Sequence, residues 1–207
     1  LFILFATLGS FVLISSDNFL TAFIGIELQS LSLYLMAAFN TKNSQSNEAG
    51  IKYFSLGALS SGFLLFGISM VYFDNASIQF SEIKNVTYFT EIGLTLIVIA
   101  LFFKVSAAPF HIWTPDVYEG SPTTITAFLS VAPKAGAFAM MIRFFNQVLA
   151  DGVAMQGLDN SSITEIPWAQ ISSIMAIITM TLGNLVAIQQ NSIKRMLAYS
   201  SVAHAGY

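Results

Sequence analysis

Residues 88–123 read YFTEIGLTLIVIALFFKVSAAPFHIWTPDVYEGSPT, and the fold turns on this stretch. From Tyr88 to Phe103 it is strongly apolar; then come Lys104, Pro109 and Pro115, before a polar turn at Glu119 to Ser121. A proline has no backbone N–H to donate and clashes with the preceding turn, so a helix that meets two of them breaks. The stretch therefore reads as a discontinuous helix, with a lysine at the break.

The rest of the chain sets the solvent around that break. Of 207 residues, 55% are hydrophobic and 9% charged, whereas a soluble domain carries about 25% charged residues. With 19 Phe and a mean hydropathy of +0.71, the chain belongs in a lipid bilayer. The net charge of -3 comes without any run of Lys and Arg, which leaves nucleic-acid binding no electrostatic basis. The absence of Cys excludes disulfides, thiolate metal sites and cysteine-ligated iron–sulfur clusters from this chain, so any redox centre lies elsewhere. Leu1 opens directly on apolar residues, and Ser200 to Tyr207 reads as an unfinished apolar segment, so the expectation is a fragment of a longer subunit.

A helix crossing about 30 Å of hydrocarbon needs about 20 apolar residues. That ruler predicts an all-α polytopic bundle, one transmembrane region over 1–207, with spans at 1–14 (partial), 19–39, 48–73, 88–118 (broken), 122–149 (kinked at Pro133), 169–190 and 196–207 (partial). Ser121 is the expected N-cap of the fifth segment, with Pro122 at its first helical position. The loops after the second, fourth and sixth segments carry Lys42, Lys194 and Arg195. Those on the other side carry Lys84 and Arg143 among seven acids, including Asp151, Asp159 and Glu165. The first set is expected on the inside.

Ionisable side chains at the bilayer centre cost about 2.5 to 3.5 kcal/mol each on insertion scales, so they are rarely kept for packing alone. Glu27 lies eight residues into its segment, Lys134 twelve into its own, and Lys104 near the middle of the broken helix if that helix continues toward Tyr118. The functional reading is a proton relay along a hydrated path. At an effective dielectric of about 20, a Glu–Lys pair about 5 Å apart interacts by roughly 3 kcal/mol, enough for a switchable pair to act as a valve. Pro109 and Pro133 should free the carbonyls of Val105 and Leu129, and freed carbonyls beside a lysine attract water. His111, at the break, suits handing protons between lysines, although an interfacial histidine beside Trp113 and Tyr118 is the plainer alternative. Lys52, only four residues into its segment, suits a snorkelling or statically ion-paired side chain equally well. His204 reads as a packing or capping residue.

Small residues at four-residue spacing, Gly57 with Ser61, Ala58 with Gly62 and Ala132 with Gly136, are read as helix-packing positions. Asp116 and Glu119 form a carboxylate pair in a turn without a nucleophile, a metal-spaced histidine or a phosphate loop, so no hydrolytic site is indicated.

Residues 103–123, FKVSAAPFHIWTPDVYEGSPT, resemble the antiporter-like membrane subunits of respiratory complex I. The Thr114 to Tyr118 run and the Pro133–Lys134 step look like the subunit called 2 or N more than its two larger paralogues. Ile26 to Leu31, Glu48 to Phe54 and Lys194 to Ser201 agree, so the similarity spans nearly the whole chain. The resemblance implies that Glu27 and Lys104 are a paired carboxylate and lysine, that Lys134 is the central relay lysine bridged to them by His111, and that Lys52 stands near the inside entrance. It also implies about fourteen helices in two inverted five-helix repeats, each with a discontinuous helix, of which roughly the first repeat is present.

The function so implied is proton translocation coupled to NADH:quinone oxidoreduction. This chain would have no cofactor of its own. NADH, FMN, iron–sulfur clusters and quinone would belong to the other membrane and peripheral subunits of the complex. Two rivals remain: a subunit of a sodium/proton antiporter or membrane-bound hydrogenase, and a structural subunit that pumps nothing. The expected location is the mitochondrial inner membrane, with a bacterial plasma membrane as the alternative.

Overall fold

A computed structural model describes residues 1–150 and 168–207. Its helices are α1 (Phe2–Ser15), α2 (Phe19–Ala37), α3 (Ser44–Asn75), α4 (Tyr88–Val105), α5 (Trp113–Gly120), α6 (Thr123–Phe144, running on into a π-helical turn at Phe145–Ala150), α7 (Trp168–Ile188) and α8 (Ile193–Gly206). Five are long and apolar enough to cross a membrane: Phe19–Ala37, Ser44–Asn75, Tyr88–Val105, Thr123–Val148 and Gln170–Ile188. The all-α polytopic expectation holds among the described residues. The expected loop acids Asp151, Asp159 and Glu165 lie outside them.

Local chemistry explains where the helices start and stop. The side chains of Asn18 and Asn43 accept the backbone N–H groups of Thr21 (2.8 Å) and Gln45 (2.9 Å), capping α2 and α3. Helix α3 ends at Ala76 in the left-handed region, φ 50°. Asn75 and Asp74 then fasten the loop that follows, Asn75 accepting from the N–H of Lys84 and Asn85, and Asp74 from the N–H of Thr90. Helix α6 starts differently from expectation. Pro122 stands at its N-cap without a side-chain bond, and Ser121 instead closes α5 through its N–H to the Val117 carbonyl.

Backbones approach one another closely where glycines meet across helices. A Cβ at Gly67 would stand 2.6 Å from the Gly93 carbonyl oxygen, and one at Gly93 would stand 2.7 Å from that of Gly67, which fixes the crossing of α3 and α4. Gly9 and Gly25 do the same for α1 and α2. Two of the spacing-based expectations change accordingly. Gly62 faces open space and Ala58 is exposed, because their side of α3 looks outward, while Ser61 carries a polar contact as well as packing. The outward surface is apolar, with Leu31, Phe54, Leu59, Phe66, Ile177 and Leu185 all exposed, as lipid contact requires.

The two ends of the bundle differ. At one end the loops after α1 and α3 join in an isolated antiparallel bridge, Asn18 with Gln79, and Arg143 from α6 reaches Asp17 (2.6 Å) and the Ile14 carbonyl (2.6 Å). Phe80 is buried there, edge-on to Phe19 at 4.9 Å, with Phe144 beyond. The other end is polar: Ser46 bonds the Ala37 carbonyl, Lys194 bonds that of Ser121, and a cluster of charges joins α3, α5 and α8.

Candidate functional site

The break between α4 and α5 is built by Ser106, whose backbone takes φ 66° and turns the chain out of α4 while its N–H bonds the Phe103 carbonyl. Ala108 precedes Pro109 through a cis peptide bond, and its N–H is taken by Thr179 Oγ1 of α7 at 2.9 Å. Trp113 Nε1 donates to the Phe103 carbonyl at 3.2 Å. Much of the freed backbone is therefore satisfied by protein. Helix α4 already ends at Val105, so Lys104 stands in its last turn and not in the middle of a longer helix. The hydroxyls of Ser106 and Thr114 and the Nδ1 of His111 are buried in this region without a hydrogen-bond partner, which makes them sites that water would satisfy.

Lys104 donates to Ser30 Oγ of α2 at 2.8 Å. One turn earlier on α2, Glu27 accepts a hydrogen bond from the Ser61 hydroxyl of α3. The expected Glu27–Lys104 ion pair is thus replaced by two serine contacts. No ion pair within 4.0 Å joins the two side chains.

Lys134 is 7% exposed on α6 and donates to the carbonyl (2.9 Å) and the hydroxyl (2.8 Å) of Ser201 on α8. One turn earlier on α6, the Leu129 carbonyl that Pro133 deprives of its helical partner accepts from the buried Tyr118 hydroxyl at 3.2 Å. The Tyr118 hydroxyl supplies a donor to the carbonyl that the sequence leaves open to solvent. Helix α6 continues through Pro133 without interruption. A cavity of about 690 Å³ opens beside Lys134, lined also by Thr126, Ser130, Ser200 and His204. His204, expected to pack or cap, shares that cavity.

His111 is buried at the break, and its ring lies 6.2 Å from that of Tyr199 on α8. No described hydrogen bond joins it to either lysine. Lys52 is held by two carboxylates, Glu48 (2.7 Å) and Asp116 (2.8 Å). Asp116 also binds Arg195 (2.7 Å), which reaches Glu119 (3.0 Å). Arg195, Tyr199 and Ser201 were not chosen from the sequence. The sequence marks Arg195 only as an inside loop charge, and nothing in the Lys194 to Ser201 run signals which side chains reach α5 and α6.

A profile of the transmembrane family described as NADH:quinone oxidoreductase/Mrp antiporter matches residues 16–207. The chain belongs to this family. Among its relatives in the family, NADH-quinone oxidoreductase subunit N of Bartonella bacilliformis is 49% identical and that of Trichlorobacter lovleyi 44%, each over 99% of this chain. The chain spans about two fifths of their length, 42% and 41% respectively. A chain of respiratory complex I from Thermus thermophilus superposes with a TM-score of 0.83 at 35% identity, over 100% of this chain and 43% of its own. A chain of the Mrp complex from Dietzia sp. superposes at 0.84 with 20% identity, over 100% of this chain and 37% of its own, which shows the shared fold alone. These matches agree with the antiporter-like architecture expected from residues 103–123.

Proposed function

We propose that this chain supplies part of the proton path in an antiporter-like subunit of a bacterial NADH:quinone oxidoreductase. One observation carries the reading. Lys104 and Lys134 are held by serine oxygens, with no carboxylate in direct contact. A buried structural cation is ordinarily paired with an anion, because an unpaired charge in apolar surroundings is costly. A hydroxyl both donates and accepts, so it can satisfy an ammonium or a neutral amine, whereas an ionised carboxylate serves only the ammonium. The serines suit lysines that change charge.

In this reading protons enter at the polar end near Lys52, reach Lys104 under the influence of Glu27, and pass to Lys134 past His111, with α8 beside both. NADH oxidation and quinone reduction belong to partner subunits, which hold FMN, iron–sulfur clusters and quinone. The bacterial origin of the relatives favours the plasma membrane over the mitochondrial inner membrane, with the Lys42, Lys194 and Arg195 loops inside. The test is NADH-driven proton uptake by vesicles carrying the assembled complex. Lys104→Ala and Lys134→Ala should each abolish most of it while the complex still assembles. Unchanged pumping in both would return the chain to a structural role. The family's Mrp description keeps sodium/proton exchange as a second reading, and sodium-dependent pumping by the intact complex would favour it.

A further inference from the structure

The cluster at the polar end is more specific than an entrance needs to be. Its five groups are Glu48 and Lys52 on α3, Asp116 and Glu119 on α5, and Arg195 on α8, three acids against two bases. Asp116 is the centre. Its Oδ2 takes Lys52 and its Oδ1 takes Arg195, so one carboxylate is shared by cations from two helices. Lys194, next to Arg195, is committed to the Ser121 carbonyl at 3.1 Å and is not a direct partner.

Helix α5 presents this carboxylate from a fixed position. Gly120, in its last turn, lies against α3 so closely that a Cβ there would stand 2.5 Å from the Gln45 carbonyl oxygen. With α5 fixed against α3, the adjustable members are the side chains of Lys52 and Arg195. Arg195 shares its helix with Ser201, the partner of Lys134, six residues and about 9 Å along. One helix thus touches the ion cluster at one point and the buried lysine at another.

We infer that Asp116 is a positioning residue for Lys52, and that Arg195, by competing for the same carboxylate, lets helix α8 set how firmly Lys52 is held. This deepens the proposed function and rests on it. When Arg195 engages Asp116, as it does here, part of the negative charge is neutralised and the carboxylate holds Lys52 less firmly. When Arg195 withdraws, Asp116 binds Lys52 alone. Glu48 is a secondary partner of Lys52 on the same helix, and Glu119 gives Arg195 a second place to rest.

The experiment uses the complete complex in proteoliposomes, with changes in the full-length subunit, and follows proton pumping per NADH oxidised from pH 6 to 10. A carboxylate beside a lysine and a guanidinium beside that carboxylate act in opposite senses on proton retention. Asp116→Asn should move the alkaline limb of pumping to lower pH by about one unit, and Arg195→Gln should move it to higher pH. The double variant should follow Asp116→Asn, because Arg195 acts through that carboxylate. Asp116→Glu should bring the alkaline limb at least halfway back from its position in Asp116→Asn. Limbs that move together, or that stay in place while assembly falls, would overturn the inference. If Asp116→Asn fails to assemble, the Arg195→Gln shift decides alone. Lys104→Ala, run alongside, separates the two claims: if it leaves pumping intact the proposed function fails, and if it abolishes pumping while the Asp116 and Arg195 profiles stay fixed only this inference fails.

Discussion

Gly67 and Gly62 sit five residues apart on α3 and offer a controlled test of how the bundle is held. Replacing either with Ala removes the same backbone freedom from the unfolded chain and gives the same intrinsic helix gain, about 1 kcal/mol. The surroundings differ. A Cβ at Gly62 meets nothing within 4 Å, whereas at Gly67 it would stand 2.6 Å from the Gly93 carbonyl oxygen and 3.0 Å from Ile97 Cγ1. A backbone carbonyl in α4 cannot swing aside, so α3 and α4 must separate by several tenths of an ångström, and overpacking of this kind costs about 1 to 3 kcal/mol. Gly62→Ala should therefore be neutral or stabilising. Gly67→Ala should fall below it by that amount, or roughly 2 to 4 °C in melting temperature per kcal/mol for a chain of this size. The assay is thermal dissociation of the detergent-solubilised complex, followed by size-exclusion chromatography. Equal melting temperatures for the two variants would refute the close crossing of α3 and α4.

Tyr118→Phe should destabilise by about 1 to 3 kcal/mol, because it strips the Leu129 carbonyl of its donor in a buried setting, and the same thermal assay reads the loss. A change within a few tenths would mean that the carbonyl has another partner. Ser61→Ala removes a charge-assisted hydrogen bond from Glu27, a contact of about 1.5 to 3 kcal/mol. Pumping per NADH should fall several-fold with the complex still assembled, whereas unaltered pumping would show that Glu27 does not depend on that hydroxyl.

What could be read in advance follows from physics that acts locally. Apolar run length against bilayer thickness gave the helices and their order, since each helix must satisfy its own backbone in lipid. Proline chemistry located the break after Lys104, and the cost of burying charge singled out Glu27, Lys104 and Lys134. The expectation for Lys52 is divided between a relay lysine and a snorkelling or statically ion-paired one, and the structure pairs it with Asp116 and Glu48. Asp116 and Glu119, which the sequence shows only as a carboxylate pair without a hydrolytic site, are two of the three acids of that cluster.

The remainder needed distances between residues far apart in the chain. Nothing near Lys134 in sequence announces Ser201, 67 positions later, as its partner. Gly67 and Gly93 do not stand at four-residue spacing on one helix but meet across two, so a pattern search along the chain passes over them. Composition and periodicity determined that these helices sit in lipid and which of them carry buried charge. Only the tertiary structure decided that serines meet the lysines and that one carboxylate serves two cations, because hydrogen-bond partnership depends on separations of about 3 Å that helix crossings set.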